Sequence, residues 1–382
     1  MVRLILIILL FILSLVNFFP VPAKEVWYVG IAVPEFPWIF MLLAILLLIW
    51  SYFKIRFRIV CLVIGTVTFV ILCSPIVRAY NVGGDLKKKM QTSFGVKEED
   101  MKGFHQTQPF SFLQMFTGNG AKEISFKNYR YATHEGVDLD LNFSPSATAG
   151  IRPCLVVVHG GSWKRGDNTE IPHFNNYFAN AGYHVATINY RLAPKFQSPS
   201  QAEDIHEALA WLRLNARQLK IDTNNFVLTG RSAGAQLVLA TAYSGKENGI
   251  KGVAAFYGPT DMLWTYDHPD NMLIMDSRMV QRDFLGGTPA EVPERYNAES
   301  PLFYVTLETV PTLLVHGKLD AHVYHEQSVR LTKKLDENKV KNVFLSLPWA
   351  THGCEYNLNG PSGQLAMYAV ERFLFAVTRT EK

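Results

Sequence analysis

Cysteine is scarce in this chain, with four in 382 residues, too few for a disulfide framework at this length. Cys61 and Cys73 lie inside an apolar run, while Cys154 and Cys354 can pair only if the fold brings them together; otherwise they pack as small hydrophobes. Charge is also sparse, at 18% of residues against 48% hydrophobic, which is apolar for an ordinary domain. The chain has no basic stripe, which excludes a nucleic-acid footprint. Internal repeats and low-complexity tracts are missing as well.

The apolar excess is local. Residues 1–80 hold Arg3, Lys24, Lys54, Arg56, Arg58 and Arg78 against Glu25 and Glu35 alone. Taking these six and two from 37 basic and 33 acidic residues leaves 31 of each beyond residue 80, so the net charge of +4 belongs to the N-terminal region. Three apolar stretches stand there, Leu4 to Phe19, Phe36 to Phe53 and Ile59 to Val77. A helix that crosses a bilayer needs about 20 apolar residues. The second and third stretches are therefore expected to span; the first is either an uncleaved anchor or a signal peptide ending near Val21-Pro22-Ala23. The connection Lys54-Ile55-Arg56-Phe57-Arg58 carries three positive charges, which the positive-inside rule assigns to the cytoplasm. Everything after Arg78 is then expected outside, against the pull of Lys87-Lys88-Lys89. Residues 81–121 read as a linker whose apolar insert, Phe110 to Phe116, is an interfacial segment or a strap on the next domain.

From residue 122 to 382 the pattern is that of one domain of alternating strands and helices. Glu123 to Thr133 and Val137 to Phe143 suggest a hairpin turned at His134-Glu135-Gly136. Short β-rich runs at Leu155 to Val158, His184 to Tyr190, Phe226 to Thr229, Gly252 to Tyr257, Thr312 to Val315 and Val343 to Leu347 suit a parallel sheet buried on both faces. Helical patterns separate them at Ser200 to Leu219, Ala233 to Tyr243, Glu326 to Leu335 and Gly363 to Val377, giving an α/β layer architecture.

Gly230-Arg231-Ser232-Ala233-Gly234 falls between a predicted strand and a predicted helix. A sharp strand-to-helix turn leaves no room for side chains beside the serine, which accounts for the glycines, and it lifts the Ser232 hydroxyl clear of the sheet. The helix N-terminus then faces any negative charge that develops there. Upstream, His159-Gly160-Gly161-Ser162-Trp163 follows another strand, where bare backbone can approach a substrate carbonyl. Gly161, Ser162 and Ala233 are the expected oxyanion donors, each worth about 3 kcal/mol in the transition state; the plain alternative for the upstream run is a glycine turn. Serine needs a base held by an acid. Asp320 and His352 follow two later strands, His352 as the proton shuttle and Asp320 as its orienting partner. His316, His322 and His325 crowd Asp320 without a recognisable metal-ligand spacing, so neither metal nor organic cofactor is expected. Asp336 and Glu326 sit in a helical pattern and point elsewhere, and His159 reads as a brace for its glycine loop.

These motifs, with Tyr190-Arg191-Leu192-Ala193-Pro194, Tyr257-Gly258-Pro259-Thr260-Asp261 and Ser300-Pro301-Leu302, resemble the esterase and lipase branch of the α/β-hydrolases. That branch includes hormone-sensitive-lipase-like, feruloyl-esterase-like and acetyl-esterase-like enzymes, and the likeness runs from about residue 123 to 377. Ser162 replaces the third glycine usual in lipase-like members, and Ala235 a second glycine that often follows the pentad; the first departure is similar to the feruloyl-esterase-like and kynurenine-formamidase-like side. The resemblance implies an α/β-hydrolase fold, a mostly parallel central sheet flanked by helices, preceded here by two or three transmembrane helices. It also implies a serine ester hydrolase working through an acyl-enzyme on a small or lipid-like ester. Acyl transfer, deacetylation, and amide or peptide cleavage use the same residues and stay open, as does a non-catalytic binding role. Residues 261–299 form an insertion with Trp264, Tyr266, Met272, Leu273, Met275 and Phe284, read either as an apolar flap or as packing for the domain.

Overall fold

In the computed structural model, residues 1–97 and 104–379 are described; residues 98–103, inside the expected linker, and 380–382 lie outside them. The N-terminal region folds as helices α1 (Val2–Ser14), α2 (Trp27–Glu35), α3 (Pro37–Tyr52) and α4 (Arg58–Phe94). Among the described residues one helix, α4, is long and apolar enough to cross a membrane. The first stretch gives only a short apolar helix running into a 3-10 turn that ends at Asn17. The second gives the 16 residues of α3, which reach spanning length only together with α2, and the two are bent by 82°. The expectation of two or three spans is amended to that extent. Pro37 opens α3 at the break, a first-turn position that proline suits because its missing N–H would be unpaired there anyway.

Leu10, Val33, Ala44 and Leu72 form a small core where these helices meet. Their outer faces leave Ile5, Leu9, Leu42, Leu46, Val63 and Val67 exposed. Arg3 is buried, and its guanidinium donates to the carbonyls of Trp50 and Ser51, at 3.3 and 3.4 Å, and also to those of Lys54 and Arg56. It thereby satisfies acceptors left bare at the end of α3.

The expected linker is helical for its first third. Helix α4 runs past Val77 to Phe94 and stops at Gly95 in a left-handed cap with φ 62°. Ala79, Gly83, Leu86, Met90 and Phe94 recur at helical spacing and are buried on the α/β domain, leaving Lys88 and Lys89 on the exposed face. Continuous apolarity ends at Val77, while a narrower amphipathic stripe carries the helix on. The Phe110–Phe116 segment is a strap. Ser111 and Gln364 exchange hydrogen bonds at 2.8 and 3.1 Å, and the amides of His105 and Gln106 donate to Glu371. Phe110 is buried, while Phe112, Leu113 and Phe116, beside and within the single turn α5 (Gln114–Thr117), stay exposed.

The catalytic-type domain is built on eight strands, β1 (Lys127–His134), β2 (Val137–Ser144), β3 (Arg152–Val158), β4 (His184–Ile188), β5 (Ile221–Arg231), β6 (Ile250–Phe256), β7 (Thr312–Gly317) and β8 (Asn342–Leu347). Their order is β1-β2-β4-β3-β5-β6-β7-β8. The first two pair antiparallel, β2 pairs antiparallel with β4, and the remaining neighbours are parallel. Alternation along β3 sends Val156 and Val158 to one core and Leu155 and Val157 to the other, as a strand buried on both faces requires. One face is covered by α7 (Ser200–Leu214), followed by the short turn α8 (Ala216–Leu219), by α9 (Ala233–Tyr243) and by α13 (Glu326–Glu337). The other is covered by α6 (Pro172–Asn180), α14 (Pro361–Thr378) and the second half of α4. The insertion contributes α10 (Met262–Asp267), α11 (Ser277–Leu285) and α12 (Pro293–Ala298). Cys154 and Cys354 are both buried and unpaired.

Candidate active site

The sheet's parallel strands end together, and the residues singled out by sequence gather at that edge. Strand β5 runs through Arg231 into Ser232, which takes φ 53° and ψ −119° before α9 begins at Ala233. Such a conformation costs a non-glycine residue about 1–3 kcal/mol. It is held by the Ser232 amide, which donates to the Phe256 carbonyl at 2.9 Å, and by the Ser232 carbonyl, which accepts from Ala235 at 3.0 Å. Gly230 and Gly234 are obligatory: a Cβ on Gly230 would lie 2.3 Å from the Gly234 carbonyl oxygen, and one on Gly234 2.3 Å from that of His159.

That second contact docks the turn on the glycine loop after β3. Gly161, Ser162 and Trp163 all have left-handed φ, at 108°, 56° and 58°, and the turn closes with Lys164 and Arg165 donating to the Gly161 carbonyl. Trp163 locks the loop by stacking on Phe284 at 4.3 Å and donating to Gln236 at 3.0 Å. Gly160 lies against Ser232, since a Cβ there would come within 3.5 Å of the serine Cβ. Ser162 points its hydroxyl at the Met275 sulfur, 3.6 Å away in the insertion. Ala233, as the first residue of α9, has its N–H ahead of the intrahelical ladder. His159 stacks on Tyr190 at 4.2 Å, with Nδ1 2.7 Å from the Gly160 carbonyl.

Asp320 and His352 meet across the ends of β7 and β8. His352 Nδ1 lies 2.7 Å from Asp320 Oδ2, so Nδ1 carries the proton and Nε2 is left as an acceptor. The other carboxylate oxygen accepts from the amides of His322 and Val323 at 2.8 and 2.9 Å. Burial alone would raise this acid, but the His352 charge and hydrogen bonds from His316 and His352 outweigh it and hold the carboxyl well below the usual carboxylate range. His316 is buried, with Nε2 2.9 Å from the Val323 carbonyl and 3.3 Å from Asp320 Oδ2. Its Nδ1 lies 2.8 Å from the Ser328 hydroxyl. His322 stacks on His352 at 5.1 Å; burial first, then the His352 charge, push it down to about 4.

Two long-range connections were not legible in the sequence. Arg231, beside the serine, pairs with Glu355, three residues past the histidine, at 2.7 Å in a site where both are buried. The Tyr257 hydroxyl donates to the same oxygen at 2.6 Å, and the Tyr257 ring packs 4.3 Å from His352. Trp27 of α2 is the other, donating its indole N–H to the His352 carbonyl at 2.9 Å. No local pattern announces a partner 325 residues away. In the insertion, Phe284 is buried packing, while Met272 and Leu273 are exposed. Asp270 is buried there, and burial, then the Asp320 charge, push its carboxyl up to about 8.

Residues 139–335, a little over half of the chain, match the family described as BD-FAE. The chain belongs to the BD-FAE family. The match holds Ser232 and Asp320 and ends before His352. The BD-FAE chain is similar to the probable carboxylic ester hydrolase LipM of Mycobacterium tuberculosis, 25% identical over 278 residues that cover 68% of this chain and 62% of the relative. It is also similar to esterase LipQ of the same organism, 27% identical, covering 56% and 53%. The chain thus spans between about half and three fifths of these relatives' length. A bacterial heroin esterase superposes with TM-score 0.60 and 22% identity, covering 68% and 86% of the two chains. A thermophilic esterase from the Planctomycetes species Thermogutta terrifontis does so with 0.55 and 20%, covering 68% and 94%. At that identity the likeness establishes the fold, that of an α/β-hydrolase.

Breaking a buried pair strands a charge at a cost of about 3–5 kcal/mol. Arg231→Met is therefore expected to lower the unfolding midpoint sharply, and Arg231→Met with Glu355→Leu to recover part of it; equal losses in both would rule the pair out as the cause. Asp270 has a folded pKa above its ordinary value of 3.8, so its contribution to stability is complete below that value and is lost as pH rises through about 8. In thermal melts across that range, Asp270→Asn should gain on the wild type as pH increases.

Proposed function

We propose that this BD-FAE-family chain is a serine carboxylic-ester hydrolase, with Ser232 as nucleophile, His352 as base and Asp320 as its orienting acid. The observation that carries the reading is the buried Asp320–His352 hydrogen bond of 2.7 Å at the same sheet edge as the strained Ser232 turn. The Ser232 oxygen attacks the acyl carbon while His352 Nε2 takes the hydroxyl proton, and the N–H groups of Gly161, Ser162 and Ala233 stabilise the oxyanion. Collapse expels the alcohol, which leaves with the proton from His352 and an acyl group on Ser232. Water repeats the sequence, its proton passing through His352, and releases the acid. The charge of His352, with hydrogen bonds from His316 and His352, offsets burial and favours the ionised form of Asp320, which can stabilise the imidazolium. The esterases that the chain is similar to support an ester in preference to an amide. None of these steps calls on a metal or an organic cofactor.

We also infer that α4 anchors the protein in a membrane with the hydrolase domain outside the cytoplasm. Arg3 meets Lys54 and Arg56 at one end of the helix bundle, and the catalytic-type domain lies on the far half of α4; the positive-inside rule puts the first end in the cytoplasm.

Ser232→Ala should lose fluorophosphonate labelling and hydrolysis of p-nitrophenyl acetate and butyrate, by about 10⁴-fold or more. Hydrolysis surviving in that variant would sink the assignment, and labelling of the wild type without hydrolysis would favour acyl transfer. For topology, a reporter active only in the cytoplasm, fused after residue 80, should stay dark; a bright signal would reverse the orientation.

A further inference from the structure

The segment joining the first two apolar stretches crosses the mouth of the candidate site. Helix α2 lays Trp27, Gly30 and Ile31 on the His352 loop: a Cβ on Gly353 would meet Trp27 and Ile31 at 3.3 Å, and one on Gly30 would meet Thr351 at 3.4 Å. Glu35, at the helix's end, is buried, its carboxylate accepting from the Ser362 amide at 3.0 Å and its carbonyl from Asn357 at 2.8 Å. Ahead of α2, the Lys24 amide donates to the Leu273 carbonyl at 3.0 Å. The same segment therefore touches the histidine loop on one side and the insertion on the other, so α2 is a wall of the site.

Beside exposed Lys24 and Glu25, several residues around this wall are apolar and exposed. Tyr28 is 66% exposed, Met272 70% and Leu273 63%, with Val26 and Tyr356 also on the surface. Trp27 joins the set to the site, its ring 4.7 Å from Tyr28, 6.1 Å from Tyr356 and 5.1 Å from His322. Exposed Phe18 and Phe19 stand between α1 and α2 in the chain, and the Arg78 guanidinium of α4 lies over the Phe18 ring at 4.6 Å. Large apolar surface left in water around a site marks an interaction with something apolar. An apolar rim beside a helix that crosses a bilayer meets hydrocarbon before it meets solution.

We propose that the site takes its ester from the bilayer: the substrate is a membrane-resident amphiphile with a long apolar chain. The ester lies at Ser232 beneath Trp27, and the chain leaves between Tyr28 and Leu273 toward the membrane. This rests on the serine-hydrolase reading above. Each methylene of the chain sheltered by the rim raises kcat/KM by about fourfold until the rim is filled.

The test uses the full-length protein in phosphatidylcholine liposomes with p-nitrophenyl acetate, butyrate and decanoate. For the wild type, kcat/KM should climb with chain length. In Tyr28→Ser with Leu273→Ser, the decanoate-to-acetate ratio should fall by about tenfold or more, since the lost shelter is worth at least two methylene groups. Fluorophosphonate labelling of Ser232 reports that the variant is folded. A long-chain fluorogenic ester should be cleaved faster in the enzyme's own liposomes than when supplied in separate ones. A flat chain-length series, an unaltered ratio in a labelled variant, or equal turnover from separate liposomes would overturn the proposal. Absence of labelling in the wild type would instead overturn the hydrolase reading beneath it.

Discussion

The candidate site depends on one ion pair that water cannot reach. Arg231 and Glu355 are both buried, and a charge in that interior is tolerable only with its partner in place. Arg231 ends the strand that presents Ser232, and Glu355 closes the loop that presents His352, so satisfying the pair fixes the distance between two segments far apart in sequence. Tyr257 adds a hydrogen bond to Glu355 and sets its ring on His352. The Arg231 guanidinium lies over Phe174 at 4.4 Å. The same contact network thus supports the serine turn from below and the histidine from the side.

A second constraint is the length of α4. One helix carries the apolar residues of the N-terminal bundle and, further on, the stripe that packs against α14 and the sheet. The bundle and the domain are thus joined through one continuous helix, with Pro75 inside it. Gly83 lets that helix approach closely: a Cβ there would sit 2.9 Å from Pro109. The strap held by Glu371 and Gln364 clasps the same face of α14. Helix α2, from the same bundle, packs on the histidine loop.

The hairpin, the six parallel strands and the four main helices were legible because each has a periodicity that burial on one or two faces imposes. The strained serine turn was legible because its glycines are required by backbone contacts of 2.3 Å. Other features were hidden. Helix α6 begins with Pro172-His173 and carries Asn175 and Asn176, so its apolar stripe of Phe174, Tyr177 and Phe178 was overlooked. The linker reading failed where α4 changes from all-round apolar to amphipathic without a break. The place of His316 was hidden as well, because its contact with Asp320, four residues on, forms in a bend that only the folded chain makes.

The sequence by itself determined the order of strands and helices, the turn that holds Ser232, and the positions of Asp320 and His352 after later strands. All of these are set by local backbone sterics and by the alternation of apolar side chains. Only the tertiary structure decided that Cys154 and Cys354 stay apart, that Arg231 answers Glu355, and that Trp27 reaches the His352 carbonyl. Those contacts join residues between 124 and 325 positions apart. A hydrogen bond or ion pair over such a separation leaves no period in the chain, because its energy depends on where the fold carries its partner.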